Sequence, residues 1–390
     1  MKELYLDNSA TTPICEEALA RYIEVSRGAW GNPSSRHGRG KEAEDVLTDA
    51  RRAVREALGA RDGQVVFTSG GTEANNLAIS GRLLAKPRYK RMGKLLTTEG
   101  EHASVSAPLE ALRAEGVRVV EIPTRGGEID LARLAEEMTP DVVLVSMMLV
   151  NNESGALYDI AAVSRLMRAK SPDAILHVDA TQGFLKVPFT VSALGAHMVT
   201  VSAHKVHGPK GVGALWIDAA TVKNGGVAAT LLGGGQEGGL RSGTENVPGI
   251  AAFAAAIRAR RADREQAAAH MTALRDRLVE GIRGTFRLAE VQVNLSPRMA
   301  PHIVSITLPR IKSETMLHFL SAKGIYVSSG SACSSHNSHL SSAMLAWGLT
   351  EAEADCTVRV SFCAENTAED VDALLAALAE GVQTLVRMRR

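Results

Sequence analysis

Between residues 64 and 217 the chain alternates short apolar, β-branched runs with segments of helical period. The runs are QVVFT (64–68), GKLLTT (93–98), VRVVEI (117–122), DVVLVSM (141–147), AILHVDA (174–180), HMVTVSA (197–203) and GVGALWI (211–217). Strands that are apolar throughout, rather than every second residue, are buried on both faces. Separated by helices, they predict an α/β fold with a mostly parallel seven-stranded sheet between two helical layers. Before the first run, KEAEDVLTDARRAVREALGA places Val46, Leu47, Ala50, Val54, Ala57 and Leu58 on one stripe. Gly59 is the expected helix-ending C′ residue.

The texture changes after residue 247. The stretch from Pro248 to Gly284 reads as one almost uninterrupted helix, roughly 50 Å long at 1.5 Å per residue, of the kind that bridges two domains. Beyond it come HIVSITLP, an amphipathic helix at 313–323, the strand pattern CTVRVSF and a final helix from about 368, which together predict a small α+β domain. No internal repeat or low-complexity linker interrupts this order.

Composition narrows the function classes. With 44 basic and 43 acidic residues the net charge is +1, so no long-range field favours nucleic acid or a membrane surface as the main partner. No apolar run reaches membrane-spanning length, and the opening MKELYLDNSATTP has no signal-peptide core. Cys15, Cys333, Cys356 and Cys363 are too few and too scattered for a disulfide framework, and none forms a CxxC pair. The expectation is reduced thiols in a cytoplasmic protein.

Three segments carry chemistry. FTSGGTEANNLAI (67–79) runs from strand through a Ser-Gly-Gly-Thr turn into a helix, a place where backbone N–H groups and the helix N-terminus favour an anion. HVDATQ (177–182) sets Asp179 at the C-terminal end of a strand, where open α/β sheets bind ligands. SAHKVHGPKGVGALWI (202–217) ends another strand with Ser202, His204 and Lys205. Each alone has a plain structural reading as a turn, a helix cap or a surface lysine. Together they suit pyridoxal phosphate, which needs a Schiff-base lysine, an acid for its ring nitrogen and a phosphate cradle.

These segments, with YLDNSATTP (5–13), GNPSSRHGRG (31–40), VNNESG (150–155), GGGQEGGLRSGTEN (233–246) and SSGSAC (328–333), stand in the order found in one family. The sequence resembles the cysteine desulfurases of the class V aminotransferases, enzymes of pyridoxal-phosphate fold type I, over nearly its whole length. The resemblance implies a large cofactor-binding domain over 14–255 and a small domain from 1–13 and 256–390. It implies catalytic roles for Lys205, Cys333 and His102, with Lys205 also carrying the cofactor. Asp179 is expected at the ring nitrogen, Gln182 at the ring oxygen, and His102 stacked on the ring. Gly71, Thr72, Ser202 and His204 are expected at the phosphate, Thr244 at the phosphate of a neighbouring subunit in a homodimer, and Asn152 near cofactor and substrate. Arg359, in TVRVSF, is the expected fork for the substrate carboxylate, and Asn32 is expected to help shape the substrate site.

Cys333 lies in SSGSACSSHNSH (328–339), among serines, a glycine and two histidines rather than apolar neighbours. Such a setting suits a mobile tether that collects sulfur in a pocket and delivers it outside. The spacing to the next helix resembles the long-loop branch of the desulfurases; the short-loop branch includes the selenocysteine lyases. A thiol is only a few per cent ionised at neutral pH, and His336, His339 or the cofactor site are the candidates for stabilising its anion.

The implied reaction converts L-cysteine to L-alanine, leaves a persulfide on Cys333 and passes the sulfur to an acceptor protein, for iron–sulfur cluster assembly or for thiolation of tRNA or cofactors. The rivals are another class V enzyme, an aminotransferase or selenocysteine lyase, and a non-catalytic sulfur carrier. Two departures from the family pattern stand out. SFCAENT (361–367) replaces a common glycine-containing segment and leaves the oxidisable thiol of Cys363 beside a small-domain strand. The sequence also ends soon after its last helix, where housekeeping members extend toward an iron–sulfur scaffold, which puts docking of that kind in question.

Overall fold

The structure, a computed structural model, describes residues 3–285, 288–330 and 340–387. Its strands are β1 (Leu4–Tyr5), β2 (Gln64–Thr68), β3 (Lys94–Thr98), β4 (Arg118–Ile122), β5 (Val142–Met148), β6 (Ile175–Asp179), β7 (Met198–Ser202) and β8 (Gly213–Ile217). In the C-terminal part β9 (Gln292–Val293), β10 (Ile303–Thr307), β11 (Ile325–Tyr326), β12 (Ser328–Ser329) and β13 (Thr357–Ser361) follow.

The central sheet has the order β2-β8-β7-β6-β5-β3-β4. Every pairing is parallel except those of β8, which runs antiparallel to both β2 and β7. Alternate residues feed two different cores. Val65, Phe67, Leu176 and Val178 pack into one, with the helices Gly38–Ala57 and Val247–Ala262. Val66, Leu95, Ile175 and Leu215 pack into the other, with the helices Gly71–Leu84 and Ala103–Ala114. Because both faces are covered, the strands read as continuous apolar runs. The one histidine inside β6, His177, bridges its neighbours: Nδ1 pairs with Ser146 Oγ at 2.8 Å and Nε2 with Thr200 Oγ1 at 3.0 Å. Burial pushes it down to about 4, so it stays neutral in the sheet.

A third core lies under the antiparallel sheet β12-β13-β10-β9 and the short parallel pair β1-β11. Helices Arg264–Gly284, Ser313–Ser321 and Ala368–Arg387 cover it. The expected long helix is two: Val247–Ala262 and Arg264–Gly284, interrupted at Asp263, whose φ of −119° and ψ of 16° leave the helical region. The first contributes Ile250, Phe253 and Ile257 to the core of the large sheet, and the second contributes Met271, Leu274 and Leu278 to that of the small one. Two cores pull on the two halves, and Asp is among the weaker helix formers. At the other predicted boundary, Gly59 takes a φ of +62° just past the helix Gly38–Ala57. A Cβ there would also meet Thr190 Cγ2 at 2.7 Å, so the position favours glycine twice over.

Candidate active site

The carboxyl ends of β5, β6 and β7 face a cavity of about 270 Å³, near the lower end of small-molecule sites. Each predicted strand-end residue reaches it for a local reason. Asp179 closes β6, and its Oδ1 accepts from the backbone N–H of Thr181 at 2.9 Å. Lys205 lies in the single 3-10 turn Ala203–Lys205 that follows β7. Gly71 and Thr72 begin the helix Gly71–Leu84, whose first N–H groups lack intrahelical acceptors. Gly213, at the start of β8, lies so close to this turn that a Cβ would sit 2.5 Å from the carbonyl carbon of Gly70.

His102, Asn152, Gln182, Ser202, His204 and Arg359 line the same cavity. Asn32 is exposed, accepts a turn bond from the Ser34 N–H at 2.9 Å and does not line the cavity of its own chain. Thr244, expected at the phosphate of a neighbouring subunit, is exposed and likewise lies outside this chain's cavity. Cys333, His336 and His339 lie outside the described residues.

The structure adds residues that the sequence reading missed. Asn75 Nδ2 donates to Asp179 Oδ2 at 2.8 Å and to Ser104 Oγ at 2.8 Å. Ser104 Oγ in turn lies 2.8 Å from His102 Nδ1, which also accepts from the Ser104 N–H at 3.1 Å. With Nδ1 an acceptor, a neutral His102 carries its proton on Nε2. Burial lowers the His102 pKa, Asp179 opposes this, and Lys205 and Arg359 reinforce it. A polar Asn on an otherwise buried helical face was the available signal for Asn75; nothing in the local pattern marked Ser104.

Lys205 Nζ donates to the carbonyls of Ser9 and Ala10 at 2.6 and 2.7 Å, so the N-terminal segment forms one wall. Arg359, on β13, donates from one Nη to the carbonyl of Asn152 and from the other to Asp7 Oδ1, both at 2.8 Å. Both ends of the guanidinium are thereby anchored. Behind the site Glu101 is wholly buried, its Oε1 accepting from Thr98 Oγ1 at 2.5 Å and the Met148 N–H at 3.0 Å. Burial, with a smaller push from Asp179, raises it to about 8.

The model of the aminotransferase class-V family matches residues 4–374. The chain belongs to the class-V aminotransferase family. Among similar relatives, cysteine desulfurase IscS 1 of Archaeoglobus fulgidus is 36% identical over 387 residues, covering 98% of each chain. Cysteine desulfurase IscS of Klebsiella pneumoniae is 37% identical over 376 residues, covering 95% of this chain and 90% of its own. A solved NifS-like protein superimposes with a TM-score of 0.89 at 34% identity, covering 97% of this chain and 99% of that one.

The class-V family works with pyridoxal phosphate, and the cavity fits that group. Among the described residues Ser9 Oγ, Gln182 Oε1, Ser202 Oγ and Arg359 Nε are buried without a hydrogen-bond partner, and all four belong to its lining. Buried polar atoms are rarely left so unless something else binds them. An anion-seeking helix start, a strand-end carboxylate and a strand-end lysine complete the donor set this cofactor requires.

Proposed function

We propose that the chain is a pyridoxal-phosphate-dependent cysteine desulfurase that releases L-alanine from L-cysteine and carries the sulfur as a persulfide on Cys333. The observation that supports it most is the meeting of Lys205, Asp179, His102 and Arg359 around one cavity, in a chain alike over its whole length to cysteine desulfurases. Gly71, Thr72, Ser202 and His204 would hold the phosphate, Lys205 would carry the cofactor, Asp179 would face the ring nitrogen and Gln182 the ring oxygen. When bound, the cofactor supplies an electron sink for the charge that develops at the substrate α-carbon.

The chain's own residues do the rest. Asp179, fixed by Asn75 and the Thr181 N–H, keeps a proton on the ring nitrogen. Gln182 spends one amide N–H on the Ser9 carbonyl and has a second for the ring oxygen. Arg359, braced by Asp7 and Asn152, orients the α-carboxylate. Lys205 takes the α-proton and later returns one, leaving the carbonyls of Ser9 and Ala10 to do so. His102 is held neutral, with its Nε2 proton available to the substrate. The Cys333 thiolate attacks the substrate sulfur: an S–S bond forms, the C–S bond breaks, and its electron pair stays with the carbon skeleton that protonates to alanine.

The exposure of Thr244 supports a role across a homodimer interface. Cys15 and Cys363 are free thiols, which supports a reducing, cytoplasmic setting; among the described residues no helix is long and apolar enough to cross a membrane. The sulfur acceptor is a protein that visits the Cys333 segment.

The test is to incubate the protein with L-cysteine and a reductant and to quantify alanine and sulfide. Equal amounts from wild type and none from Cys333→Ala support the reading. Lys205→Ala removes the cofactor's visible absorption band. Alanine formation that survives Cys333→Ala would overturn the role of that thiol.

A further inference from the structure

Sharing Lys205 with the substrate cavity, a second and smaller cavity of about 40 Å³ is also lined by Lys186, His207, Arg260 and Cys363. It has room for an ion or a water. Two of its lining residues, His207 and Cys363, converge with the exposed Glu365, one ligand atom of each lying within 4.8 Å of the others. They come from distant parts of the chain: His207 follows the Lys205 turn, whereas Cys363 and Glu365 follow β13. The geometry points to a site for a borderline-soft divalent cation such as Zn²⁺, bound by His207 Nε2, Cys363 Sγ and Glu365 Oε2 with a fourth position open.

The orientations of His207 and Glu365 support this. His207 Nδ1 lies 3.1 Å from the Pro13 carbonyl and donates to it, so a neutral ring turns the lone pair of Nε2 outward. That is how metal-bound histidines are commonly held. The backbone of His207 takes a φ of 62°, an uncommon conformation for a residue with a side chain, and its N–H is tied to Thr12 Oγ1 at 2.8 Å. Glu365 divides its work: Oε1 accepts from Arg260 at 2.6 Å, while Oε2 lies 3.8 Å from His207 Nε2. Bonds of about 2.1 Å to a tetrahedral ion set two ligand atoms roughly 3.4 Å apart, so a small contraction completes the pair.

Charge is also accounted for. A thiolate and a carboxylate neutralise a divalent cation, and Arg260 stays bonded to the other carboxylate oxygen. The buried Lys186 Nζ has no hydrogen-bond partner among the described residues. A coordinated cysteine binds as its thiolate, so metal uptake releases its proton. A mixed N, S and O donor set suits Zn²⁺ better than Mg²⁺ or Ca²⁺, which take oxygen ligands. The ion would pin the loop carrying Lys205 to the loop that follows the strand of Arg359.

The experiment is equilibrium dialysis of the holoenzyme against Zn²⁺, with metal analysis, for wild type, Cys363→Ala and His207→Asn; Asn tolerates the left-handed backbone at 207. Wild type should retain one Zn²⁺ per chain more than either variant, and each variant should bind that ion over about 100-fold more weakly, beyond the 10–100-fold cost of losing a mere outer-sphere partner. Retention of the cofactor band shows that the variants are folded. Glu365→Gln, at a more exposed position, serves if either fails to fold and should weaken binding likewise. Equal Zn²⁺ content in wild type and variants, or none in wild type, would overturn the site.

Discussion

Glu101 offers the sharpest test of how burial shapes this site. Its carboxyl is wholly buried and its ordinary value of 4.5 is raised to about 8. The folded protein therefore keeps a proton on Glu101 that the unfolded chain gives up above pH 4.5. Stability from this group is complete below pH 4.5, falls as pH rises and levels off above pH 8. The full gap corresponds to ~5 kcal/mol at 1.36 kcal/mol per pKa unit. Between pH 6 and pH 9 the loss is about 3 kcal/mol by the same linkage. Glu101→Gln keeps an acceptor for Thr98 Oγ1 and the Met148 N–H, and it does not titrate. At ~2.1 cal/mol/K per residue, 390 residues unfold with about 0.8 kcal/mol/K, so the loss is worth about 3 °C. The assay is thermal unfolding of both holoenzymes at one scan rate from pH 6 to pH 9. The Tm of the variant minus that of wild type should grow by about 3 °C across the range. A constant difference would refute the raised pKa and, with it, the claim that a neutral carboxyl stands behind Asp179.

Further outcomes follow from other contacts. Ser104→Ala removes the oxygen between Asn75 and His102; a lost buried hydrogen bond of about 1 kcal/mol should lower kcat about fivefold, and the pH profile should shift, whereas an unmoved profile would mark Ser104 as packing only. Arg359→Lys keeps the charge but cannot span Asp7, Asn152 and a carboxylate together, so KM for L-cysteine should rise roughly tenfold or more; an unchanged KM would remove Arg359 from substrate binding. Gly213→Ala drives a methyl into the Gly70 backbone and should destabilise by about 1–3 kcal/mol, with faster loss of cofactor on dialysis; full retention would show that the turn can shift without cost.

The sequence alone placed the seven strands of the large sheet to within a residue or two, because a strand buried on both faces leaves a local apolar run that needs no distant information. It also put Asp179 and Lys205 at strand ends, and the turn at Gly70–Gly71 before its helix, since such positions follow from where a run stops. The helix break at Asp263 escaped that reading: helical period continues through it, and only the presence of two separate cores divides it. Also out of reach were the contacts that set the chemistry of the site. Arg359 meets Asp7 across 352 positions of sequence, Asn75 meets Asp179 across 104, and His207 meets Cys363 only because the loops after β7 and β13 are folded together. Hydrophobic periodicity reports which face of an element is buried. Which polar groups face one another across a cavity is decided by how the elements pack, and that is where the tautomer of His102, the proton on Glu101 and the cluster of His207, Cys363 and Glu365 are determined.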